Sequence, residues 1–255
     1  MPSQEELIQS ALDTLALLNR DDPASDKLAS FLYTVKDPRL SKYLEQLKDF
    51  TQLKNPTLPQ SKQAGELLEQ IVCLVFRGLQ GATSFKSFQS AGPQYDFLVS
   101  GDQTAWLYVC NQLYLKENQR GIVIEAKATK ERLPDKQFAR LCSILDLNLS
   151  STVGLGIFFT LNGAAGFPQS GDTRQRAISD CRLRQVIFHA KTQKRIVVLD
   201  KNDIFELGKN GSLIQILVRK IRDLDELSGL PTTSVEQTQE IDLPDHLKHL
   251  YEDVM

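Results

Sequence analysis

The stretch VGLGIFFTL, residues 153–161, is nine residues long, and only Thr160 in it is neither apolar nor glycine. A run this short and this apolar suits a strand covered on both faces, because a half-exposed strand alternates polar with apolar residues. A second run of similar character, GIVIEAKAT at 121–129, precedes it. Between the two, Pro134 stands at a first helical position, followed by Phe138, Leu141, Leu145 and Leu147. Strands buried on both sides need helices on both sides. The predicted fold class is therefore α/β.

Upstream, Leu67, Leu68, Ile71, Val72 and Val75 recur at helical spacing within Gly65 to Leu79. The runs TSFKSF, QYDFLVS and WLYVCNQLYL that follow read as strands. Downstream, RIVVLD and a helix from about Ser212 to Leu227 close the domain. The core thus reads helix, three or four strands, helix, strand. Ahead of it, Ser3 and Glu6 form a capping box for a helix through Leu18, and two more helical patterns follow, Leu28 to Val35 and Leu40 to Leu53. The proline-bearing NPTLPQSKQ reads as a linker. The expected division is a helical appendage over 1–58, a core over 59–229 and an acidic tail over 230–255.

With 41% apolar and 24% charged residues in 255, the chain excludes wholesale disorder, a collagen-like repeat and a disulfide scaffold. Its net charge of -2 excludes a polycation that coats nucleic acid or membrane, so any basic site must be local. Charge is nevertheless segregated: Arg174 to Arg195 holds seven basic residues against Asp180 alone, and the chain from Asp223 holds nine acidic residues against Lys248. No stretch approaches the roughly 18 apolar residues that span a bilayer, and the N-terminus has no signal-peptide pattern, which predicts a cytoplasmic protein without membrane partners. Cys73, Cys110, Cys142 and Cys181 are widely spaced and suit buried thiols better than a zinc site.

The chemistry centres on the second apolar run. Alternation along a strand puts Ile122, Ile124 and Ala126 on one face and Val123, Glu125 and Lys127 on the other. A carboxylate and an ammonium on one buried face cost desolvation unless a metal or a reaction compensates. Asp96, between Tyr95 and Phe97, is in the same situation on another strand. Two carboxylates brought together repel unless a cation sits between them. An acid on one strand, with an acid and a lysine two apart on the next, is what metal-assisted phosphodiester hydrolysis requires: hard oxygen ligands for Mg²⁺, and a lysine to serve the water or the charge developing on phosphate.

On these residues the chain resembles the PD-(D/E)xK nuclease superfamily, which implies a restriction-endonuclease-like core, a mixed central sheet flanked by helices in the order α-β-β-β-α-β. The matching pieces are GELLEQIV, QYDFLVS, IVIEAKAT, DKQFARL and GLGIFFTLNG. It looks most like the Mrr-like, type IV restriction endonuclease branch, over about Gly65 to Leu199. It departs from that branch in reading SAGPQYD before Asp96 and in a longer segment between Asp96 and Glu125. The resemblance implies a Mg²⁺-dependent endonuclease acting on DNA in restriction or defence, with Mn²⁺ as a substitute and a homodimer as one expected state. It implies Asp96, Glu125 and the Ala126 carbonyl as metal ligands, Lys127 as the catalytic lysine and Glu69 as a helix acid supporting the water, with Glu66 competing for that role. Lys130, Arg132 and Arg140, with Arg120 and Lys136 nearby, would contact phosphates; the same charges would equally form a solvated face.

Two rival readings remain at this level, an RNA-directed nuclease and an inactive binding or sensor module. His246 and His249 have no third metal ligand nearby, Gly154 and Gly156 lack the helix start of a dinucleotide fingerprint, and no Walker A sequence is present.

Overall fold

The computed structural model describes residues 23–88, 95–167 and 181–227. The predicted helix from Ser3 and the acidic tail lie outside the described residues. Five strands, β1 (Ser84–Phe88), β2 (Tyr95–Ser100), β3 (Gly121–Lys127), β4 (Val153–Thr160) and β5 (Arg195–Leu199), form one sheet in that spatial order. β1, β2 and β3 pair antiparallel; β3, β4 and β5 pair parallel. The sheet is mixed because its last two connections are helical crossovers, and only such a crossover returns a chain to the same end of a sheet.

The helices are α1 (Pro23–Leu32), α2 (Arg39–Gln52), α3 (Leu58–Arg77), α4 (Thr104–Gln112), α5 (Asp135–Ser143), α6 (Cys181–Thr192), α7 (Lys201–Glu206) and α8 (Ser212–Leu227). Alternation along the strands divides the interior into two clusters. Ile122, Ile124, Leu155, Ile157, Phe159 and Val197 pack toward α1 to α4 and α8. Val123, Phe158, Ile196 and Val198 pack toward α5 and α6. All eight residues of β4 are buried, as its composition requires. Gly154 and Gly156 make room for neighbours: a Cβ would meet the Gln119 carbonyl at 2.6 Å from the first and Leu145 Cδ1 at 2.8 Å from the second.

Three expectations are corrected. WLYVCNQLYL is not a strand but the body of α4, in which Trp106, Val109, Cys110 and Leu113 are buried at helical spacing before Tyr114 ends the element at φ 55. Its aromatic and β-branched composition suggested a strand; the periodicity of its buried positions decides for a helix. NPTLPQSKQ is not a linker. Thr57 and Gln60 form a reciprocal capping box, and Pro59 sits in the first turn of α3, where its missing N–H costs nothing. Residues 23–58 are no separate appendage, since Leu28, Leu32, Leu40, Leu44 and Leu47 belong to the same cluster as α3 and the sheet. Tyr33 donates its hydroxyl to the Leu207 carbonyl at 2.7 Å, locking α1 to the end of α7.

Within the described part of the basic run, from Arg182 to Arg195, several side chains are committed to the fold. Arg184 pairs with Asp135 at 2.6 Å, and Lys194, 3% exposed, donates to the Leu145 carbonyl beneath α5. Arg195 grips Asp225 of α8 through two nitrogens, and His189 Nε2 lies 2.9 Å from the same carboxylate. Burial raises the Asp225 carboxyl, but hydrogen bonds from His189 and Arg195 outweigh it and hold the group below its ordinary value. Gln185 donates to the Ile196 carbonyl, occupying an acceptor on the edge strand β5. Cys73, Cys110, Cys142 and Cys181 are free thiols, the last three buried. No described helix is long and apolar enough to cross a membrane.

Candidate active site

β2 and β3 run antiparallel with Phe97 opposite Ile124, so the next residues toward the end of β3, Asp96 and Glu125, come opposite each other on one face. Glu125 is 4% exposed, and the side chains of Asp96 and Lys127 are about a quarter exposed, so the site grades from buried to open along the strand. The Ala126 N–H donates to Asp96 Oδ2 at 2.6 Å, which fixes that carboxylate against β3. Because a strand residue points its N–H and C=O to the same side, the Ala126 carbonyl faces β2 as well.

Lys127 resolves the expected repulsion. Its Nζ lies 2.9 Å from Glu125 Oε2 and 3.2 Å from Asp96 Oδ2, so an ammonium bridges the two acids. Burial pushes its pKa down, but the two carboxylates outweigh burial and raise it, and the side chain is a firm cation. Burial raises the Glu125 carboxyl, with Lys127 and Arg140 opposing. Arg140 reaches Glu125 Oε1 at 3.8 Å from α5 and therefore borders this cluster.

Glu69 is exposed on α3, and burial followed by the Asp96 charge raises its carboxyl, with Lys127 opposing. That coupling distinguishes it from Glu66, which lies 3.8 Å from Lys62 and lines the crevice between α2 and α3. Asp96, Glu125 and Lys127 thus meet across two strands, and Glu69 on α3 feels the charges of Asp96 and Lys127. Lys130 and Arg132 stand further along the loop leaving β3: Lys130 donates to the Lys54 carbonyl at 3.0 Å, and Arg132 lines a cavity beside β4 and β5. Asn162 was not singled out in the sequence, yet its amide donates to the Thr129 and Lys130 carbonyls at 3.0 and 2.9 Å and holds that loop in place.

A cation between two carboxylates is the electrostatic arrangement a divalent ion would take over. Glu125, Asp96 and the Ala126 carbonyl supply hard oxygens suited to Mg²⁺ or Mn²⁺. Among the described residues, no group of three or more His, Cys, Asp and Glu side chains is placed to hold a metal ion. A two-carboxylate site fits Mg²⁺, which keeps several waters and takes oxygens from substrate phosphate, and it does not fit zinc. No protein-family model, no curated protein and no solved structure matches the chain, so the assignment of this site rests on the residues and distances above.

Proposed function

We propose that the protein is a Mg²⁺-dependent endonuclease that hydrolyses phosphodiester bonds in double-stranded DNA, in the service of restriction or defence, on a restriction-endonuclease-like core. The observation that carries this reading is the Asp96–Lys127–Glu125 cluster: two acids on paired strands and a lysine two residues from one of them, grouped at the end of β3. The order α3, β1, β2, β3, α5, β4, with α4 between β2 and β3, supports the same reading. Asp96, Glu125 and the Ala126 carbonyl would hold the metal, which when bound supplies charge neutralisation at phosphate and an activated water.

The side chains have separable tasks. Asp96 is fixed by the Ala126 N–H, so its position does not depend on the metal. Lys127, already protonated and quarter-exposed, would release one carboxylate and present its ammonium to the phosphate oxygens, meeting the charge that develops there. Glu69, whose carboxyl feels the Asp96 and Lys127 charges, would accept a hydrogen bond from the attacking water. The bridging ammonium is also the one feature favouring the rival binding module, because Lys127 satisfies both acids without any metal.

Purified protein incubated with plasmid, linear duplex, single strand and RNA, each with Mg²⁺, Mn²⁺, Ca²⁺ or EDTA, decides between them. Cleavage of duplex DNA is expected in Mg²⁺ and Mn²⁺ and not in Ca²⁺ or EDTA. Binding without cleavage in every metal would establish the binding module, and cleavage confined to RNA would redirect the substrate.

A further inference from the structure

At the carboxyl ends of β3, β4 and β5, the three exit loops enclose a cavity of about 230 Å³ lined by Arg132, Asn162, Lys201 and Lys220, among others. A smaller cavity of about 70 Å³ shares Leu161, Asn162 and Lys201 with it and adds Thr129 and Lys130. The two adjoin at those three residues, a groove in two parts. The groove begins beside the candidate active site: Thr129 and Lys130 closely follow Lys127, and Asn162 closely follows Thr160, the residue paired with Lys127 across the sheet. Its walls are joined by backbone bonds, Leu133 N–H to the Gly163 carbonyl at 2.9 Å and Ala165 N–H to the Leu133 carbonyl at 3.0 Å. The lining is therefore set before any ligand arrives.

The charges of this groove are unequally spent. Asp200, the acid in the lining, caps α7 through the Asn202 and Asp203 amides at 2.8 and 3.3 Å, and Lys220 is paired with Asp203 at 2.7 Å. Arg132 and Lys201 have no hydrogen-bond or ion-pair partner among the described residues, and Lys130 reaches only a backbone carbonyl. Three cations spread along a polar groove, rather than converging on one point, suit a succession of phosphates better than a single small anion. The carboxyl ends of parallel strands are also where open α/β sheets take their ligands.

We propose that this groove carries the phosphodiester backbone of the strand being cut, with Lys130, Lys201 and Arg132 neutralising phosphates next to the scissile one. The proposal rests on the nuclease reading and adds Lys201, which begins α7 beyond β5, far in sequence from the motif. The test uses the full chain and short labelled DNA duplex, single-stranded DNA and RNA, with binding measured in Ca²⁺ over a range of salt and cleavage measured in Mg²⁺. Arg132→Gln with Lys201→Gln is the variant, and Lys42→Gln, exposed on α2 outside the lining, is the control. The double variant should bind about tenfold or more weakly and lose between one and two units of the log-log salt slope, at about 0.9 per phosphate contact on duplex. Lys42→Gln should change neither. Which nucleic acid shows the loss identifies the source of the phosphates. Wild-type affinity and slope in the double variant, with wild-type protein still cleaving, would overturn the groove and leave the nuclease standing. Wild-type protein that binds the DNA with the double variant's loss, yet cuts nothing in Mg²⁺ or Mn²⁺, would support the groove and end the nuclease reading.

Discussion

Two clusters of charge sit inside this protein, built from similar parts and satisfied to different degrees. In one, Asp225 is gripped by Arg195 and faces His189, tying α6 and β5 to α8. In the other, Asp96 and Glu125 share the ammonium of Lys127 at the end of β3. The first is closed: His189 is wholly buried, and one acid faces more than one basic group. The second is open at the lysine and carries two acids for one lysine, with Arg140 only at 3.8 Å. A cluster whose charges are matched and sealed holds helices together. One left short of positive charge at an accessible edge is prepared to receive a cation or a substrate.

The sharpest way to break that comparison is through catalysis. Asp96→Asn and Glu125→Gln should each remove Mg²⁺-supported cleavage, and Lys127→Ala should slow it by about a hundredfold or more, the scale of a lost charge-stabilising donor. Binding in Ca²⁺ should change far less for Lys127→Ala, and Lys127→Arg should not restore the rate, because a planar guanidinium cannot take the position of a compact ammonium. Equal losses in binding and cleavage for alanine, with recovery by arginine, would make Lys127 a positioning residue. None of these changes should touch cleavage if made at the other cluster, provided the assay is run well below the melting temperature.

Stability should show the reverse pattern. Asp225→Ala strands buried basic groups and should cost about 3 kcal/mol, read as a lower midpoint in urea. Asp96→Asn keeps an oxygen for the Ala126 N–H and loses only a half-open ion pair, so its cost should stay within about 1 kcal/mol. Comparable losses from both variants would mean that the candidate site is architectural.

The two acids also differ in the sign of their pH response. Asp225 has a folded-state pKa below its unfolded value, so its contribution is complete above the ordinary carboxylate range and disappears as pH falls through the depressed value. Glu125 has a raised folded-state pKa, so the fold binds its proton more tightly than the unfolded chain does, and stability is lost as pH rises through that raised value. In melts from acid to neutral pH, Glu125→Gln should gain on wild type as pH rises, whereas Asp225→Asn should fall further behind. Parallel curves would contradict the contrast. The smallest effect belongs to Arg140→Ala: an exposed partner at 3.8 Å should cost under about 1 kcal/mol and flatten the salt slope for DNA by less than one unit.

The sequence alone determined β3 and β4 and the facing of their residues. A run such as VGLGIFFTL has one way to satisfy its composition, and strict alternation puts Glu125 and Lys127 on the face opposite Ile124. It also selected Asp96, because an acid between Tyr95 and Phe97 contradicts its strand. Local pattern was misleading where composition and periodicity disagree, as in α4, and where prolines begin a helix instead of ending one, as in α3. Only the tertiary structure coupled Glu69 to the Asp96 charge, absorbed α1 and α2 into the core, spent Arg184, Lys194 and Arg195 on internal partners, and left Arg132 and Lys201 over in one groove. The physical reason is range. Alternation and capping act over a few residues and are written locally, whereas the partner of a charge is whichever group the packing of distant elements places beside it.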